Sequence, residues 1–281
     1  MERRYLRGSA ALKKLGSLIV ITAIMVIMLF PFVIVFINAF KTPQDYAQRG
    51  PLVWPHPFSI EGIFQFWQRV DFTNKLINSF VISLSVAVVG VLLSLLNAYA
   101  LGIGRIKGRV LLLVLFVVAN TLPHEALVYP LYYIAKLLKI YDRQIAVIIV
   151  FSVIQSAFGT YLLSSMFASF PRELLEAAEV DGCTKTRMLS SIMAPISMPT
   201  LSVLFTFFFI WTWNEFFLPL ILLISNSRQT VPIAISVTQG QHNMDATMAS
   251  ASALLGILPC LIFFFLFQRN FSRGITAGSL K

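Results

Sequence analysis

The chain is short of charge. Of its 281 residues only 12% are Asp, Glu, Lys or Arg, about half the share of an ordinary soluble domain. With 57% hydrophobic residues and a mean hydropathy of +0.80, too little polar surface remains to face water all round. Cysteine is scarce as well. Cys183 falls in a polar stretch and Cys260 in an apolar run, which argues against a disulfide framework or a cysteine metal site. No C-x-x-C, His-rich cluster or H-E-x-x-H occurs, so no metal is expected. There is no G-x-x-x-x-G-K-[ST] loop to cradle nucleotide phosphates, and no recognisable serine or cysteine nucleophile motif. No catalytic residue is assigned and an enzyme is not expected.

What the chain does have is long apolar runs. A bilayer-spanning helix needs about 20 such residues, and six segments qualify: roughly Leu18–Phe40, Leu76–Leu101, Val110–Ala135, Ile145–Met166, Thr200–Ile224 and Ala249–Phe267. Runs such as LLLVLFVVA and SLIVITAIMVIMLF do not alternate, as barrel strands must. The first run follows basic residues in the manner of a signal peptide. It is too long for one, and no A-x-A site follows, so a retained helix is expected. The expected fold class is all-α, a polytopic membrane protein of six transmembrane helices.

A net charge of +10 would suggest nucleic acid in a soluble protein. Here the cations flank apolar runs, so they read as orientation in a lipid bilayer, and no nucleic acid is expected. With both termini in the cytoplasm, the inner segments hold Arg3, Arg4, Arg7, Lys13 and Lys14; Arg105, Lys107 and Arg109; Arg172, Lys185 and Arg187; and Arg269, Arg273 and Lys281, which is 14 of the 22 basic residues. That bias satisfies the positive-inside rule, although Lys136, Lys139 and Arg143 fall outside. The organisation expected is a cytoplasmic N-terminus over 1–16, a membrane domain over 17–271 and a cytoplasmic tail over 272–281. The longest external loop, Lys41–Thr73, carries Pro43, Pro51, Pro55 and Pro57, which argue against a long helix in its first half. Its Trp54, Phe58 and Trp67 suit packing at a membrane interface.

The most informative segment is the inner loop Pro171–Pro199, PRELLEAAEVDGCTKTRMLSSIMAPISMP. Pro171 suits a first helical turn, and Glu173 and Glu176 put negative charge where the helix dipole favours it. Leu174, Leu175 and Ala178 form an apolar stripe. Gly182 follows Asp181 where a helix end needs a left-handed residue. Thr184 then caps a second short helix through Arg187, Leu189 and Ile192, ended by Pro195 and Pro199. The expectation is two short cytoplasmic helices hinged at Gly182, a compact knob suited to a partner's cleft.

Glu176-Ala177-Ala178, then Gly182, Ile192 and Pro195 resemble the EAA loop of ABC importer permeases, with Ala194-Pro195 where that pattern usually has Leu-Pro. WNEFFLPLILL (Trp213–Leu223), NSFVISLSVAVVGVLLSLLNAYALGIGRIKGR and the C-terminal QRNFSRGITAGSLK are similar to segments of the carbohydrate-uptake, maltose-type G subunits. The resemblance covers nearly the whole chain. It implies a type I importer permease fold with cytoplasmic coupling helices, in the cytoplasmic (inner) membrane of a bacterium. It implies ATPase docking by Glu173, Glu176, Ala177, Ala178, Asp181, Gly182 and Arg187, with Glu176 meeting a basic residue of the ATPase. It also implies three kinds of partner: a second homologous permease, an ABC ATPase dimer that binds ATP and Mg, and an extracytoplasmic solute-binding protein. The tail Gly274–Lys281 looks like a segment that reaches toward the ATPase interface.

A solute path through six spans should be lined by inward polar groups. Asn120, Glu125, Tyr129, Trp211, Asn214 and Glu215 are the candidates, with His124 beside Glu125. They supply hydroxyl-compatible hydrogen bonds and aromatic faces. Asn214 and Glu215 could equally hold helices together, and Pro123, Pro130, Pro219 and Pro259 are expected to kink or break their helices. No Lys or Arg lies deep in a span, which disfavours an anionic cargo. A sugar or oligosaccharide importer working by alternating access is the expectation, with a polyol or glycerol phosphate as the alternative cargo. A secondary transporter would need coupling-ion groups in its spans, and an intramembrane hydrolase a nucleophile and base at mid-bilayer; both fit poorly.

Overall fold

A computed structural model describes residues 2–104, 106–239 and 245–279. Arg105 and Lys281, counted among the inner cations, lie outside the described residues, as do the side chains of Arg3, Arg4, Arg7, Lys13, Arg172, Arg269 and Arg273. Among the described residues the regular structure is entirely helical. Five helical segments are long and apolar enough to cross a membrane: Lys14–Ala39, Phe72–Gly102, Gln144–Ala168, Lys185–Asn214 and Ala246–Gln268. A bent pair, Arg109–Thr121 with His124–Leu137, makes the sixth when counted as one span.

The chain divides into two compact units, Met1–Arg69 with Thr238–Leu255, and Val70–Val237 with Gly256–Lys281. In the first unit, α1 (Glu2–Ala39) leaves its apolar side chains exposed, Ile27 by 72% and Met28 by 67%, as a helix solvated by lipid tails must. After it come α2 (Pro43–Arg49), capped by Thr42 with Pro43 in its first turn, and α3 (Glu61–Arg69). Pro43 thus starts a short helix, and the later prolines follow its end, so the first half of this loop holds no long helix. Asp45 joins the segment together: its carboxylate pairs with Arg49 and accepts the His56 amide at 3.2 Å. Arg49 also donates to the His56 carbonyl at 2.8 Å, and Lys41 Nζ donates to the Gly50 carbonyl at 2.6 Å. Phe58 stacks on Phe40 with ring centres 4.8 Å apart.

The second unit is built on α4 (Phe72–Gly102), α5 (Arg109–Thr121), α6 (Val128–Leu137), α7 (Gln144–Ala168), α8 (Arg172–Val180), α9 (Lys185–Met188), α10 (Ala194–Asn214) and α11 (Phe217–Leu222). It also holds most of α12 (Val231–Gln239) and the later part of α13 (Ala246–Ser279). Small residues let α4 and α7 lie close. Ser94 Oγ donates to the Gly90 carbonyl at 2.7 Å and shares the Ser156 carbonyl at 3.3 Å. A Cβ on Gly90 would stand 3.0 Å from the Phe208 ring of α10. Beside this pair, Ile82, Val86, Ala135, Val147, Phe151, Leu218 and Leu222 form a core that seats α11 against α6 and α7.

Three expectations about the spans need correction, and proline chemistry explains each. The third span is not one helix from Val110 to Ala135: α5 and the helical stretch after it meet at 96°. Leu122 is extended, with ψ 132°, because a residue before proline is pushed out of the α region, and here Pro123 follows. Pro130 breaks nothing, since it sits in the first turn of α6, where no intrahelical N–H is needed.

The fifth span does not run from Thr200 to Ile224. It ends at Asn214, and Glu215 is extended at ψ 128° before α11 begins. Continuing the helix would drive the ring of Pro219 into the carbonyl four residues earlier, which is that of Glu215. At its other end, Pro195 and Pro199 do not stop the preceding short helix. Lys185–Asn214 runs unbroken, because Leu189–Met193 widens into a π-turn in which the Ala194 amide donates to the Leu189 carbonyl. The wider turn makes room for the Pro195 ring. Pro259 likewise lies inside the continuous α13, and the expected tail is helical to Ser279.

Candidate functional site: a membrane cavity and an exposed hinged loop

The cavity forms where the two proline-broken spans come together. It has a volume of about 400 Å³ and is lined by Asn120, His124, Phe151, Ile154, Gln155, Ile210, Trp211, Asn214 and Glu215. The end of α5 supplies Asn120, the turn after Pro123 supplies His124, α7 supplies Phe151 to Gln155, and the end of α10 supplies the rest. Trp213 holds α10 in place. It is 2% exposed, its indole N–H donates to the Gly256 carbonyl at 3.2 Å, and it stacks on Phe209, whose ring lies 3.7 Å from that of Phe263. Trp211, two residues earlier, is 42% exposed. Its ring lies parallel to Phe207 at 5.5 Å and edge-on to Phe158 at 5.3 Å, so a flat aromatic face is fixed in orientation. Asn214 Nδ2 donates to the Ile210 carbonyl at 2.8 Å.

Of the path residues expected from the sequence, the cavity gathers Asn120, Trp211, Asn214 and Glu215, and His124 with them. It does not gather Glu125 or Tyr129, which are exposed. The 96° bend and the following 3-10 turn His124–Leu127 carry both away, and the Tyr129 hydroxyl pairs with that of Tyr133 at 3.1 Å. Sequence reasoning missed Gln155. An amide inside an otherwise apolar run is the signal the sequence carries for it. Among the described residues no cluster of His, Cys, Asp and Glu could hold a metal.

The loop Pro171–Pro199 is a separate feature. Pro171 is the N-cap of α8, one position before the first turn expected for it, and Glu173 lies in that turn. At the other end Gly182 has φ +74°, the left-handed region that glycine occupies without cost. The Gly182 amide donates to the Glu179 carbonyl at 3.0 Å and the Cys183 amide to the Ala178 carbonyl at 2.9 Å. These two bonds make a Schellman cap. Thr184 caps the next helix, its Oγ1 accepting from the Arg187 amide at 3.3 Å. Glu173, Glu176, Ala177, Asp181, Gly182 and Arg187 are exposed, and Ala178 is buried. Leu174 is 49% and Val180 88% exposed, so apolar and acidic groups share one outward surface.

The segment before α12 is tied to the start of α4. Lys75 Nζ donates to the carbonyl and, at 2.8 Å, to the side-chain oxygen of Asn226. Asn78 Nδ2 donates to the Ser227 carbonyl at 2.8 Å, and its Oδ1 accepts from Gln144 Nε2 at 2.7 Å. Asp142 accepts the Ser225 hydroxyl at 2.5 Å and pairs with Arg228 at 3.2 Å. Burial pushes its carboxyl up, but the Ser225 hydrogen bonds and Arg228 outweigh this and hold it below the ordinary range.

An all-helical polytopic chain with a cavity between broken spans and an exposed loop on short hinged helices is the architecture of a transport subunit. The profile of the family described as "Binding-protein-dependent transport system inner membrane component" matches residues 90–277, and the chain belongs to that family. It is the permease of an ABC importer, a transport subunit and not an enzyme. It is 31% identical to the sulfoquinovosyl glycerol transport system permease protein SmoH of Agrobacterium fabrum, over 90% of this chain and 89% of the relative. It is 29% identical to the diacetylchitobiose uptake system permease protein DasC of Streptomyces coelicolor, over 90% and 92%. The arabinooligosaccharides transport system permease protein AraQ of Halalkalibacterium halodurans is 28% identical, over 91% and 92%. A solved structure of a bacterial ABC transporter involved in the import of the acidic polysaccharide alginate shares the fold, with a TM-score of 0.76 at 20% identity, over 93% of this chain and 97% of that one.

Proposed function

We propose that this chain passes a sugar or oligosaccharide into the cytoplasm through the cavity around Trp211, as one half of a pair of homologous permeases. The observation that carries the reading is the cavity itself: a fixed aromatic face beside amide groups, in a volume of about 400 Å³ suited to a small ligand. Permeases named for glycosyl glycerol, diacetylchitobiose and arabinooligosaccharide transport among its relatives support it. Glu215 in the wall, with no Lys or Arg among the lining residues, speaks against a glycerol phosphate.

An extracytoplasmic binding protein delivers the solute, and an ABC ATPase dimer binds ATP and Mg on the other side. The exposed surface of Glu173, Glu176, Ala177, Asp181, Gly182 and Arg187, with Ala178 packed beneath it, docks into that ATPase. Both termini lie in the cytoplasm. Closure of the ATPase moves the loop, and the spans rock between outward-open and inward-open states.

The test is reconstitution of the assembled importer, with its binding protein, in proteoliposomes. ATP-dependent accumulation of a neutral di- or trisaccharide is expected. Uptake driven by an ion gradient without ATP would instead identify a secondary transporter.

A further inference from the structure

The cavity wall holds one buried amide whose oxygen has no partner. Gln155 is 5% exposed. Its Nε2 donates to Thr212 Oγ1 at 2.9 Å, while its Oε1 is buried with no hydrogen-bond partner. Turning the amide over changes nothing essential: Thr212 can donate to the oxygen, and the nitrogen is then left alone. Burying such an atom without a partner costs about 1–3 kcal/mol, so the position is an expensive one to keep unless something fills it. Gln155 lies in the cavity lining with Trp211 and Asn214. Thr212, itself 5% exposed, fixes one side of the amide and leaves the other unpaired.

From this geometry we infer that Gln155 is a specificity-determining residue, whose free amide atom takes one hydroxyl of a neutral sugar as it passes the Trp211 face. The inference rests on the saccharide reading of the same cavity and deepens it. An amide pairs with a hydroxyl in either orientation, because a hydroxyl both donates and accepts. A sugar ring satisfies an aromatic face and a lateral amide at once. A site whose buried polar group awaits a hydroxyl rejects a cargo lacking it more strongly than an apolar wall could.

The test uses the complete importer in proteoliposomes, with maltose, cellobiose and arabinobiose as neutral probes, the single deoxy analogues of whichever is carried, and digalacturonate as the acidic probe. The variants are Gln155→Met, which keeps the volume, and Thr212→Val, which removes only the internal partner. The expected result for Gln155→Met is a rise of about fivefold to tenfold in the transport KM of the neutral sugar, the size of one lost hydrogen bond. Sugar binding by the isolated binding protein stays unchanged. One deoxy analogue should show the same loss with the native chain and no further loss with Gln155→Met, because each removes one end of the same bond. Thr212→Val should lower thermal stability yet still discriminate against that analogue.

If a neutral sugar is carried but Gln155→Met leaves its KM and the analogue penalties as they were, Gln155 only joins helices and the inference fails alone. If the native importer carries no neutral saccharide, the sugar reading fails and takes the inference with it. Preference for digalacturonate would overturn the inference while leaving an importer of sugars in place.

Discussion

Around Gly182 nearly every structural decision is made within a few residues. The left-handed backbone, the two Schellman hydrogen bonds and the Thr184 cap join groups no more than five positions apart. Around Trp211 nothing is local. The cavity wall draws on residues 120 and 124, 151–155 and 210–215, and each stretch is aimed by something elsewhere: a proline that breaks the span, an indole bonded to Gly256, a glycine that lets Phe208 approach. The loop presents its side chains outward on a framework needing little tertiary support. The cavity exists only because three spans stop or pack where they do. One surface suits a partner that arrives as a folded body, the other a small solute.

Substitutions can set this contrast under strain, and the largest effects belong to the loop. Gly182→Val places a β-branched residue at φ +74°, a strain of about 1–3 kcal/mol. Glu176→Lys reverses charge on the proposed docking face. Each should leave membrane insertion normal but abolish co-purification of the ATPase and reduce uptake to background. Normal pull-down and normal uptake with both variants would remove the loop from the docking surface.

Next in size is Trp211→Ala. Loss of the aromatic face should lower transport efficiency about tenfold, the equivalent of 1.4 kcal/mol, with ATPase association intact. The two assays thereby separate cavity from loop.

How far each region could be read in advance follows from the same difference. The loop was legible because caps and glycine turns are written in adjacent residues; even its error, the expected stop at Pro195, came from a proline that a π-turn absorbs. The spans were legible as apolar runs. Pro123 and Pro219 mark that the third and fifth runs break, as they do at Leu122 and Glu215, but a proline does not show where the chain goes next. Asn120, Trp211, Asn214 and Glu215 stand out in the sequence as polar or aromatic groups in apolar runs, and they line the cavity. For Gln155 the sequence offers only an amide in an apolar run; that its oxygen lacks a partner is visible only when its neighbours are in place. Glu125 was expected on the path as an ionisable group in a span and Tyr129 for its hydroxyl and ring, and the 96° bend carries both away from Asn120.

A smaller effect tests whether the cavity depends on packing behind it. The Cβ of Gly90→Val meets the Phe208 ring at 3.0 Å, and its two methyls add to the crowding. Overpacking of this kind costs about 1–3 kcal/mol, which should lower the melting temperature of the detergent-solubilised subunit by about 2–12 °C and weaken transport without affecting ATPase pull-down.

The smallest effect lies outside both regions. The side-chain bond from Arg49, and with it the His56 amide, outweigh burial and hold the Asp45 carboxyl below the ordinary range. A carboxyl lowered by folding stabilises the loop above its unfolded pKa of about 4. That contribution fades as pH falls from there through the lowered folded value. Limited proteolysis of residues 41–60 should therefore be slow at pH 7 and quicken below about pH 4, while Asp45→Asn should be cleaved at one rate at both.

The π-turn at Leu189–Met193 has a mechanical consequence. By absorbing Pro195 it makes the 30 residues from Lys185 to Asn214 one continuous shaft, about 45 Å long at 1.5 Å per residue. Arg187 rides at one end and Asn214 at the other. A tilt of about 5° around the midpoint of such a shaft swings each end by about 2 Å in opposite senses. A push on the Arg187 end of such a shaft would reach the Asn214 end as a reversed displacement, with no relay of intermediate contacts.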